Sequence, residues 1–128
     1  MTNTTRNMNP ADAEQALKTF HSAIRKCEKA QMKLKEESPQ RKWVRRQLEA
    51  YYIAVSCIEE VFKDNASAAR YTESERVNAA ATLCLLTEIC GKLPEKFKDN
   101  HPQQTLAIRR LSAFRLALPL INSDSARQ

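Results

Sequence analysis

Slid against itself by 63 residues, the chain matches itself. The stretch SPQRKWVRRQLEAYYIAVSCI (38–58) falls on HPQQTLAIRRLSAFRLALPLI (101–121). Pro39 meets Pro102, Gln40 meets Gln103, Arg46 meets Arg109 and Leu48 meets Leu111. Ala50, Ala54 and Ile58 meet Ala113, Ala117 and Ile121, and Tyr51 meets Phe114. The register holds upstream without a gap, through Cys27 with Cys90, Lys29 with Lys92 and Lys33 with Lys96. From residue 16 to residue 58, 13 of 43 positions are identical to their counterparts. We read this as an internal duplication. Such a chain is built from two copies of one small unit, and neither copy can bury its apolar face alone.

The unit is a helical hairpin. Asn9-Pro10 with Asp12 reads as a cap, a first-turn proline and an early acid. Thr72-Glu73-Ser74-Glu75 reads as a capping box. Ser38-Pro39 and His101-Pro102 open the second helix of each unit. The signals predict helices over 10–36, 39–63, 73–92 and 102–121, with a short turn or helix around 94–99. Gly91 is expected to cap the third helix, and Pro119 to kink or end the fourth. Residues 1–8 and 122–128 read as loose tails. One glycine in 128 residues leaves little material for the turns of an all-β chain. The expected fold is therefore all-α, a single-domain four-helix bundle of two duplicated hairpins, 9–63 and 72–121.

At 100° per residue each helix shows its faces. The first has one seam: Ala13, Leu17, Phe20, Ile24, Cys27, Gln31 and Leu34. The second has a main seam of Val44, Leu48, Tyr51, Val55, Ile58 and Phe62, and an adjacent one of Trp43, Ala50, Ala54, Cys57 and Val61. The fourth helix repeats both, and the third is apolar almost all round. That surplus predicts a homo-oligomer, a dimer first of all, with a second chain over the second seams and the third helix.

The net charge is +6, with a net of +5 in residues 1–50 alone. Such a bias suits anionic partners, nucleotide or nucleic acid. The four cysteines, Cys27, Cys57, Cys84 and Cys90, form no CxxC pair and no Cys/His cluster. They read as reduced cysteines in a cytoplasmic protein, with no metal and no cofactor. No apolar run is long enough for a transmembrane helix, so no membrane association is expected. The polar start MTNTTRNMNP does not read as a secretion signal.

The sharpest candidate site is the cluster Arg41, Lys42, Trp43, Arg45 and Arg46. Guanidinium groups grip phosphates, and aromatic rings stack on bases. Arg46 recurs as Arg109, followed by Arg110, and Lys29 recurs as Lys92. Arg46 and Arg109, both near the second seam, suggest a symmetric anion pocket, with Trp43 or Tyr52 stacking. The same charges also suit a solvated helix start. Lone His21 and His101 lack the Glu-x-x-His pairs of a di-iron bundle. Glu88 shares a face with Val77, Ala81 and Cys84, where an interface ion pair would serve it. No phosphate loop, nucleophile elbow or dinucleotide fingerprint occurs, so an enzyme is not expected.

The segment CEKAQMKLKEESPQRKWVRRQLEAYYIAVSCIEE resembles small helical proteins of clostridial and phage-like genomes. The shared features are a Lys-Cys-Glu-Lys-Ala-Gln run, a Leu-x-Ala step and aliphatic-Ala pairs. The resemblance implies an accessory role on a mobile element, as an inhibitor or a ligand sponge, and assigns no functional residues. Two functions follow as expectations. One is a non-enzymatic basic binder of a phosphate-bearing ligand, a nucleotide messenger or nucleic acid. The alternative is a protein–protein module, inhibitor or adaptor, working through an apolar helical surface.

Overall fold

A computed structural model of the chain describes residues 9–62, 71–92 and 102–126, with side chains through Asn122. Its elements are four helices: α1 (Pro10–Lys33), α2 (Pro39–Phe62), α3 (Glu73–Lys92) and α4 (Pro102–Ala126). They form an all-α four-helix bundle. Each helix packs on its neighbours in the ring α1–α2–α3–α4, and α2 also touches α4 across the diagonal.

The starts are those the sequence encodes. Asn9 Oδ1 accepts from the Ala11 N–H at 2.8 Å. Thr72 and Glu75 exchange two hydrogen bonds, at 2.8 and 3.1 Å, in a reciprocal capping box. Ser38 Oγ accepts from the Arg41 N–H and donates to the Lys35 carbonyl.

Two expectations about helix ends are corrected, and of the kink or end expected at Pro119 the end does not occur. α1 stops at Lys33 rather than at residue 36, because Leu34 is extended, with φ −102° and ψ 147°. The acidic pair Glu36-Glu37 would sit badly at the negative end of a helix, and Arg41 Nη1 instead holds the Leu34 carbonyl at 3.2 Å. Gly91 lies inside α3 and not beyond it. Pro119 lies within α4, which runs on to Ala126 and takes up much of the expected C-terminal tail. The core explains this continuation: Leu120 and Ile121, just past the proline, are almost wholly buried and hold the next turn down. The expected tail at 1–8 and the turn around 94–99 lie outside the described residues.

The centre of the core is three aromatic rings. Phe20 meets Tyr51 and Phe114, each at 5.8 Å between centroids. Tyr51 and Phe114 stack at 6.1 Å and 10°. These last two are 63 residues apart and lie on the diagonal helices. Other pairs in that register share their burial: Ala50 with Ala113, Ala54 with Ala117, and Ile58 with Ile121 are all within 1% of fully buried. The second seams of α2 and α4 are therefore filled inside one chain, because α2 packs on both α1 and α3. Only Val61 of these seams is exposed, so the surplus expected there is small. Of the large apolar residues left exposed, Val77, Leu85 and Ile89 share one face of α3, while Met32, Tyr52, Val61 and Ile108 stand on the other three helices.

Candidate functional site

Thr19 and Thr82 are 63 residues apart, and each turns its hydroxyl back onto its own helix. Thr19 Oγ1 donates to the Gln15 carbonyl and Thr82 Oγ1 to the Asn78 carbonyl, at 3.0 and 2.9 Å. A polar group in a packed helix face is satisfied in this way. Each threonine lies on the floor of a surface groove. One groove runs between α2 and α3 and is lined by Arg46, Glu49, Tyr52, Glu75, Asn78 and Thr82, among others. The second runs between α1 and α4 and is lined by Asp12, Gln15, Thr19, Arg109, Ser112 and Arg115, among others. Those two sets correspond residue by residue at a separation of 63.

The matched grooves carry different chemistry. The α2/α3 groove holds one cation, Arg46, against two carboxylates, Glu49 and Glu75. It is small, about 170 Å³. Arg46 Nε donates to Thr82 Oγ1 at 3.0 Å, and its guanidinium carbon sits 5.9 Å from the centre of the Trp43 ring. The α1/α4 groove is wider, about 550 Å³, within the range of roughly 300–1,000 Å³ usual for small-ligand sites. It continues past Gln15, Thr19 and Arg109 into a hollow of about 230 Å³ that adds Lys18, Ser22 and Arg110. Along its length four cations, Lys18, Arg109, Arg110 and Arg115, face one carboxylate, Asp12.

Arg110 is the most enclosed of these cations. It is half-buried, and its Nε is out of solvent with no hydrogen-bond partner. Its charge reaches inward to Cys27, Tyr51 and Cys90. Burial pushes both thiols and the phenol up, and Arg110 opposes that rise in all three. Burial is the larger effect, so these groups keep their protons.

Of the ten residues that the sequence nominated, Arg109 and Arg110 meet in the cationic groove. Arg46 and Tyr52 line the other one, so Arg46 and Arg109 do not form one symmetric pocket within the chain. Tyr52 donates its hydroxyl to Glu28 at 2.9 Å, and Trp43 is half-buried against the core rather than free to stack. Arg41 closes the α1–α2 turn. Lys42, Arg45, Lys29 and Lys92 are exposed and line neither groove.

Lys18 and Arg115 were missed. Lys18 stands on what one helix alone presents as a solvent face, and only the approach of α4 makes a wall of it. Arg76 was missed as well: it is buried at the start of α3, with Nη1 3.5 Å from Cys57 Sγ. His101 lies outside the described residues. Among the described residues no three His, Cys, Asp or Glu side chains gather as a metal site, and no helix is long and apolar enough to cross a membrane. No protein-family model, no curated protein and no solved structure matches the chain.

Proposed function

We propose that the chain is a non-enzymatic binding protein that holds a phosphate-bearing ligand, a nucleotide or a nucleic-acid strand, in the α1/α4 groove. One observation carries this: four cations, Arg110 the most enclosed of them, line a continuous groove against a single carboxylate. Phosphate oxygens accept charge-assisted bonds from such cations, and these bonds are the strong kind. Ser22 and Ser112 add hydroxyls along the same wall. The QRKWVRR cluster is not the centre of this reading. Its tryptophan packs and its Arg41 closes a turn. Sequestration of a phosphate ligand in the cytoplasm, as an accessory protein of a mobile element, agrees with the resemblance noted above.

The test is calorimetric titration of the whole chain with inorganic phosphate, a mononucleotide, a cyclic dinucleotide and a short single-stranded oligonucleotide, at low and moderate salt. The expected result is saturable binding of at least one organic phosphate that weakens steeply with salt. Arg110→Gln, which copies the matched residue Gln47, should weaken it at least tenfold, while Arg45→Gln leaves it unchanged. Absence of binding by every probe at low salt would sink the proposal. Binding indifferent to Arg110→Gln would move the site elsewhere.

A further inference from the structure

The outward face of α3 carries Val77, Ala81, Cys84, Leu85 and Ile89, all exposed, with Val77 at 55%, Leu85 at 42% and Ile89 at 46%. The fold does not demand apolar residues there. Subtracting 63 gives the matching positions of α1: Glu14, Lys18, His21, Ser22 and Lys26. All are polar, and a helix packed in the same way stays folded with them. An apolar face that the chain's own packing leaves open points to a partner.

We infer that this face joins two copies of the chain, with the two α3 helices antiparallel about a two-fold axis near Leu83. Two features favour a second copy over a different protein. First, Val77, Ala81, Leu85 and Ile89 are evenly spaced, so the row superposes on itself when reversed: Val77 meets Ile89 and Ala81 meets Leu85. A two-fold interface must be self-complementary in this way. Second, the row's ends carry opposite charge. Glu73 lies in the first turn of α3 and Lys92 in the last. Antiparallel pairing brings each acidic end beside the partner's Lys92, once at either end of the interface. Parallel pairing would set like charges together. Cys84 falls one residue from the axis, so the two Cys84 positions are offset by only about 3 Å along the helices at 1.5 Å per residue.

The inference does not rest on the groove reading, and its test avoids the groove. Sedimentation equilibrium of the full chain between about 1 and 100 µM should show a dimer. Leu85→Glu should raise the dissociation constant at least tenfold, with helicity retained by circular dichroism. Should that variant not fold, the charge pair gives a second measure. Lys92→Glu should weaken the dimer, and adding Glu73→Lys to the same chain should restore it. Mild oxidation should yield a disulfide-linked dimer that Cys84→Ser abolishes. A monomer at every concentration overturns the inference, including one that captures a foreign protein on this face. So does a dimer that none of these changes affects.

Discussion

A single hydroxyl separates Tyr51 from its counterpart Phe114, and it makes the core sensitive to pH. Tyr51 is 2% exposed, and its hydroxyl donates to Gln47 Oε1 at 3.2 Å. Burial raises the phenol well above its ordinary 10.0, and the thiols of Cys27 and Cys90 above 9.0. In each case the folded chain keeps its proton at a pH where the unfolded chain has lost it. These groups therefore leave stability intact below about pH 9 and reduce it as the pH rises beyond. For Tyr51 the slope approaches 1.4 kcal/mol per pH unit above about pH 10. Tyr51→Phe should flatten that part of the curve while costing about 1 kcal/mol or less at neutral pH. Urea midpoints at pH 8 and pH 11 for both proteins check this. Equal losses in the two would show that another group titrates.

At the scale of the element, the starts of helices were legible and the ends were not. A start is written in side chains that bond to their own backbone, so Asn9, Ser38 and Thr72 can be read directly. An end depends on what the next turn can pack against. Pro119 signals a kink or a stop, yet Leu120 and Ile121 find the core and α4 continues. Gly91 signals a cap, yet α3 includes it. A Cβ on Gly91 would meet nothing within 4 Å, and no positive φ accompanies it. Gly91→Ala should therefore stabilise the chain, by about 0.5–1 kcal/mol. A left-handed cap would give the opposite sign. A shift of the thermal midpoint upward or downward separates the two.

For the whole molecule, the 63-residue register was the most informative feature, and it foretold the bundle. It did not reveal which residues form a groove, because a groove belongs to two helices and the register describes one at a time. Arg109 was found by its match to Arg46, but Lys18 and Arg115 acquire meaning only once α1 lies beside α4. The same shared packing makes the core one unit. Phe20 on α1 touches Tyr51 on α2 and Phe114 on α4, so three helices depend on it. Phe20→Ala should cost about 3–5 kcal/mol and should do so in a single transition. Separate melting of the two hairpins in chemical denaturation would show that they are independent.

The cationic groove lies between α1 and α4, whereas α3 turns its apolar face away from α1. Two copies joined through α3 would hold their grooves on well-separated flanks. A short ligand would then occupy each groove separately, with no gain from the pairing. A ligand long enough to reach both would be held with avidity, since the second contact becomes intramolecular. Ligand length would thus discriminate without any additional recognition residue, through the spacing between sites alone.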